Sequence, residues 1–116
     1  MKMTAPLKEN HLFRRAYSRG KTAADSRLAL YVRRNGQKSN RLGLTVSTKV
    51  GCAVVRNRVR RRLREIYRLN EEALAPGCDV VVVARVRAAS SGYHELEQSF
   101  LKLADKLALL KKGGPQ

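Results

Sequence analysis

Acidic residues are scarce in this chain. Nine Asp and Glu stand against twenty-five Lys and Arg in 116 residues, which gives a net charge of +16 and a pI of 11.0. So large an excess excludes a self-neutralising surface and points to a polyanionic partner. Cysteine is nearly absent as well. Cys52 and Cys78 stand far apart, without C-x-x-C spacing, so neither a disulfide framework nor a zinc or redox motif is present, and both read as small buried residues. His11 and His94 are isolated too, without a second ligand at metal spacing, and read as surface or capping residues. No apolar run approaches the ~20 residues that span a bilayer. The opening Met1-Lys2-Met3-Thr4-Ala5-Pro6 lacks the apolar segment of a secretory signal, so cytoplasmic residence and no membrane partner are expected. Catalytic groupings are missing: no Ser or Cys has a base close by in sequence, and there is no metal cluster or glycine-rich phosphate loop. These absences leave a binding protein, not a side-chain catalyst.

What is abundant is arginine, and it is concentrated. Seven lie in the thirteen residues from Arg56 to Arg68, whereas residues 69–116 carry six basic and six acidic side chains. At about 100° per residue Val55, Val59, Leu63, Ile66 and Ala73 form a core-facing stripe, and Asn57, Arg61, Arg64 and Arg68 fall opposite it. Arg56 and Arg60 flank one edge of that outer face, Arg58 and Arg62 the other. A rigid helix would therefore hold a fan of guanidinium groups outward, each able to grip a phosphate bidentately. Only Glu65 offsets their mutual repulsion, which a polyanion would relieve.

The length suits one domain over 1–116, with free ends at about 1–6 and 111–116. A first helix is expected over Glu9–Ser18, from Leu12, Phe13, Ala16 and Tyr17 and a stop at Gly20. Lys21–Ala24 fits a short edge strand. Alternation predicts strands over Arg27–Arg33 and Leu42–Ser47, joined by an antiparallel connection tightest at Asn35-Gly36. The arginine helix runs from about Ala53 to Ala73, and the continuous Val80–Ala84 run reads as a strand buried on both faces. Strand, helix and buried strand in that order imply a parallel crossover. A last amphipathic helix spans Tyr93–Leu110, its stripe made by Leu96, Phe100, Leu103, Leu107 and Leu110. The fold class is α/β. Phe13 and Tyr17, at i and i+4, fit a core as well as a stacking platform; with Tyr31 they all lie in the basic part of the chain. The outward face carrying Tyr31, Gly43, Thr45 and Ser47 is open enough for an extended ligand.

Three stretches together resemble the protein subunit of bacterial ribonuclease P. They are Phe13-Arg-Arg-Ala-Tyr17-Ser-Arg-Gly20-Lys21, Arg41-Leu-Gly-Leu-Thr-Val-Ser47, and Val50-Gly-Cys-Ala-Val-Val55 running into Arg56-Asn57-Arg58 with Arg60, Arg61 and Arg64. Asp79–Arg85 resembles that family's last strand. The resemblance implies a two-layer sandwich ordered α-β-β-β-α-β-α, with a left-handed crossover where general statistics favour right in ~98% of cases. It implies the non-catalytic subunit of an endoribonuclease whose RNA removes the 5′ leader of precursor tRNA. Magnesium would be held mainly by RNA. Carried over residue by residue, Lys49, Arg56, Asn57, Arg58, Arg60, Arg61, Arg64 and Arg68 would face the catalytic RNA, and Phe13, Tyr17, Tyr31, Thr45 and Ser47 the single-stranded leader. Partners would be ribonuclease P RNA and precursor tRNA, with no DNA expected. Tyr17 stands where that family often has Phe, Thr48 where Lys is frequent, Cys52 where Asn is common, and Arg62 where apolar residues are usual. The alternative reading is a general RNA-binding or ribosomal protein.

Overall fold

The computed structural model describes residues 4–110, so the free ends expected at 1–3 and 111–116 lie outside the described residues. Eight elements follow in order: β1 (Thr4–Pro6), α1 (Asn10–Arg19), β2 (Lys21–Ala24), β3 (Leu28–Arg34), β4 (Asn40–Val46), α2 (Ala53–Asn70), β5 (Cys78–Ala84) and α3 (Tyr93–Lys106). The sheet order is β1-β4-β5-β3-β2. The valine run therefore becomes the central strand, as its lack of alternation requires.

Alternation along the strands divides the sheet into two faces. Leu28, Leu30, Val32, Leu42, Val80 and Val82 meet α2 and α3 in the larger core, where Val59, Leu63, Ile66, Phe100 and Leu103 are nearly inaccessible. Val81 points the other way, into a smaller cluster with Leu7, Leu12 and Ala16. The β4–α2–β5 crossover is parallel and consistent with the unit implied by the family resemblance.

Several expectations are corrected. Thr4–Pro6 is not a free end but an edge strand parallel to β4, fixed by the Leu7 N–H bond to Leu42 O (2.8 Å) and by Thr4 Oγ1 against the Tyr67 hydroxyl (3.0 Å). Pro6 is tolerated because its outer edge needs no donor. β3 and β4 run antiparallel as expected yet do not pair, because β5 inserts between them, antiparallel to β3 and parallel to β4. Their connection still turns at Asn35-Gly36: Gly36 has φ of 71°, and Asn35 Oδ1 accepts from the Gln37 N–H at 2.8 Å. α2 ends at Asn70 and tightens into a 3₁₀ turn, leaving Ala73 exposed, while Tyr67 takes a fully buried place that the stripe had omitted. α3 stops at Lys106. Ala108 adopts φ of 57° and the Leu109 N–H returns to Ala104 O (2.8 Å), so Leu109 is buried and Leu110 pairs with Leu74. Cys78 is buried, but Cys52 is exposed at the N-cap of α2.

Candidate nucleic-acid interface

α2 divides its arginines by what they touch. Asn57, Arg61, Arg64 and Arg68 are exposed and Arg56, Arg58, Arg60 and Arg62 half-buried, as the helical angles require. Arg61 and Arg64 form no hydrogen bond or ion pair with the described residues and point their full donor sets outward. Arg60 Nη1 donates to Asn57 Oδ1 at 3.0 Å and Arg56 Nε to Gly51 O at 3.1 Å, which orients both while leaving other donors free. Arg58 and Arg62 instead reach across the fold, to Ala89 O (3.2 Å) and Ser91 O (3.1 Å), and tie α2 to the 3₁₀ turn Val86–Ser90 and its exit into α3. Arg68 is held by Glu65 through two bonds of 2.9 and 2.6 Å. Arg60 and Arg64 also edge a groove of about 180 Å³ floored by Leu7, Leu42 and Leu44.

The other face is built around α1. Phe13 packs directly on Gly43, where an added Cβ would lie 2.6 Å from Phe13 Cζ. The next turn brings Tyr17 over Tyr31, ring centroids 4.8 Å apart at 81°, with the Tyr17 hydroxyl 2.9 Å from Thr45 Oγ1. Tyr17 remains 40% exposed, so its ring is anchored at one end and available at its face. Strand register shows what α1 leaves uncovered. It lies over the cross-strand row Gly43, Val81, Tyr31; the next row, Thr45, Val83, Ala29 and Ala24, grades from half-buried to exposed. The result is a groove with an aromatic wall and a floor of small side chains. Val83 and Ala29 belong to that floor and are absent from the residues picked out by sequence, although the alternation of β3 and β5 about Tyr31 and Val81 encodes them.

The two surfaces are joined by chain continuity. Ser47 is exposed just past β4, and Lys49 is exposed in the 3₁₀ turn Thr48–Val50 that leads into α2. At that junction the N–H groups of Val55 and Val54, with the Arg56 charge, hold the Cys52 thiol below its ordinary range. Burial pushes Cys78 up. Among the described residues only Arg27, Arg41, Arg68 and Lys102 are ion-paired Lys or Arg, so most of the positive charge is left uncompensated. His11 meets Glu9 at 3.3 Å on the surface, and His94 is exposed. The arrangement can grip phosphates along a helix and stack bases in a groove; among the described residues no three His, Cys, Asp or Glu side chains gather to hold a metal ion, and no helix is long and apolar enough to cross a membrane.

The Ribonuclease P family model matches residues 1–108. The chain is 41% identical over 112 residues to the ribonuclease P protein component of Natranaerobius thermophilus, covering 97% of each chain. It is 44% identical over 106 residues to that of Caldanaerobacter subterraneus subsp. tengcongensis, covering 91% of each. The solved RNase P protein of Staphylococcus aureus superposes with a TM-score of 0.84 at 27% identity, covering 91% of this chain and 97% of that one. That of Thermotoga maritima gives 0.77 at 28% identity, over 84% and 92%.

Proposed function

The chain belongs to the ribonuclease P protein family, and from that premise we propose how its two surfaces divide the work of the holoenzyme. It is the non-catalytic protein component of the ribonucleoprotein that removes the 5′ leader from precursor tRNA, and its partners are ribonuclease P RNA and the tRNA substrate. The catalytic RNA binds along α2, through Arg61 and Arg64 first, then Arg56, Asn57, Arg58 and Arg60, with Lys49 at the turn before the helix. Arg68 joins them by exchanging Glu65 for phosphate. The leader lies in the groove, its bases against Phe13, Tyr17 and Tyr31 and its backbone along Thr45 and Ser47. Unpaired bases favour such a groove because any base offers a flat face to an aromatic ring. Magnesium, a hard cation seeking oxygen ligands, is held mainly by RNA phosphates and carries out its chemistry there. The complex works in the cytoplasm, without membrane or DNA partners.

The observation that carries the leader reading is the Tyr17 ring, fixed by Thr45 and Tyr31 yet open along the uncovered row of the sheet. Changing both Phe13 and Tyr17 to Ala should weaken holoenzyme binding to precursor tRNA by about 1 to 3 kcal/mol per base unstacked, and leave mature tRNA binding unchanged. Equal losses for the two substrates would mean that the rings serve only the small core.

A further inference from the structure

A second basic surface lies past the end of α1. Arg19, Lys21, Arg33 and Arg34 rim a cavity of about 310 Å³ whose floor includes Val32 and Leu109. None of the four cations forms a hydrogen bond or ion pair with the described residues. Asp79, the carboxylate in register with Arg33, cannot neutralise them: it is fully buried and already accepts from Arg41 at 2.7 and 2.9 Å and from Asn35 at 3.0 Å. A cationic rim around an apolar floor suits one nucleotide, its phosphate on the guanidinium and ammonium groups and its base or ribose below.

The position of the site decides which RNA reaches it. Arg33 follows Tyr31 on the same sheet face, about 7 Å further along β3. Arg19 follows Tyr17 by two residues on α1, a rise of about 3 Å. Arg33 stands on the far side of Tyr31 from the open row, and that row runs out to Ala24 on β2, three residues or about 10 Å from Lys21 on the same edge strand, so an RNA strand leaving the groove reaches the rim by turning past the end of α1. The exposed Arg61 and Arg64 lie in the body of α2, whereas Ala75, Pro76 and Cys78, beyond its C-terminal end, complete the lining of this cavity with Leu107 and Ala108. We propose that this pole is a second phosphate-binding site of the protein and holds leader nucleotides beyond those in the aromatic groove, so that the leader bends around the C-terminal end of α1. The inference rests on the leader reading above.

The test uses assembled holoenzyme carrying Arg19→Ala, Lys21→Ala and Arg34→Ala together, three positions outside the core, with circular dichroism as the check on folding. Binding is measured for mature tRNA, for a precursor whose leader ends within the groove, and for one several nucleotides longer. The long-leader precursor should bind about tenfold more weakly than to wild type, with a salt dependence shallower by ~0.7 for each phosphate no longer neutralised, while the other two ligands are unaffected. An unchanged long-leader affinity overturns the proposal. So does a weakening shared by all three ligands, or a weaker affinity for ribonuclease P RNA itself, which would assign the pole to the catalytic RNA. If wild type does not separate precursor from mature tRNA at all, the leader reading fails with it; if it does and the triple variant matches it, only this second site falls.

Discussion

The two faces of the sheet are built from the same strands and put to different uses. On one, α2 and α3 bury Leu28, Leu30, Val32, Val80 and Val82, with only Ala23 and Leu44 toward the margins half-buried, and the aromatic pair Tyr67 and Phe100 is sealed within, centroids 6.2 Å apart. On the other, α1 leaves the row Thr45, Val83 and Ala29 half-buried, and its aromatic pair, Tyr17 and Tyr31, stands partly in solvent. The closed face supplies stability; the half-covered face gives up burial and gains a groove. The difference follows from helix number and from side-chain size, since Gly43, Thr45 and Ala29 are too small to close the surface themselves.

The sharpest way to break this comparison is to delete one ring from each face. Phe100→Ala should cost about 3 to 5 kcal/mol in urea denaturation, because a fully enclosed ring leaves a cavity. Phe13→Ala should cost about 1 to 2 kcal/mol, since its ring is already partly wet. If the two losses were equal, the small core would be as structural as the large one and the groove would lose its rationale.

A smaller effect separates the arginines of α2 on the same principle. Arg61→Ala and Arg64→Ala should leave stability within about 0.5 kcal/mol and weaken ribonuclease P RNA binding, each making the salt dependence shallower by about one unit of slope. Arg58→Ala should lose about 1 kcal/mol of stability, because its bond to Ala89 O joins α2 to the turn before α3. An Arg58 variant as stable as wild type would return that side chain to the RNA surface alone.

Much of this layout can be read from residue order, and the exceptions share a cause. The facing of α2 is legible because helical angles are local, and Arg61 and Arg64 point where those angles place them. The partners of Arg58 and Arg62 are not, because Ala89 and Ser91 lie about thirty residues away and are brought near only by packing. Strand insertion is illegible for the same reason: β3 and β4 alternate correctly and turn at Asn35-Gly36, and nothing local says that β5 will enter between them. β1 escapes a sequence reading because three residues around a proline carry no periodicity; what fixes them is an edge left open by β4. Cys52 looks buried by sequence because an isolated cysteine usually is, whereas its place at the N-cap of α2 leaves it exposed. In the groove, Phe13, Tyr17, Tyr31 and Thr45 do come together, but the small floor of Val83 and Ala29 emerges only from register.

The two faces should differ also in their response to acid. Asp25 caps the turn between β2 and β3, accepting from the N–H groups of Arg27 (2.8 Å) and Leu28 (2.9 Å) and meeting Lys102 of α3 at 3.2 Å, so it belongs to the closed side. Burial alone would raise its pKa, but the Leu28, Ser99 and Arg27 hydrogen bonds and Lys102 outweigh it and bring it down from 3.8 to about 2. A carboxylate depressed in the folded state stabilises fully above its unfolded pKa and loses that contribution as pH falls through the folded one. Denaturation midpoints should therefore decline between about pH 4 and pH 2, and Asp25→Asn should flatten that decline while lowering neutral-pH stability by about 1 kcal/mol, the shift being discounted for partial solvent exposure. The groove side chains Phe13, Tyr17, Tyr31, Thr45 and Ser47 include no carboxylate, so their contribution to leader binding should stay level across that window wherever the fold persists. An Asp25→Asn protein with an undiminished acid slope would place the acid-sensitive carboxylate elsewhere.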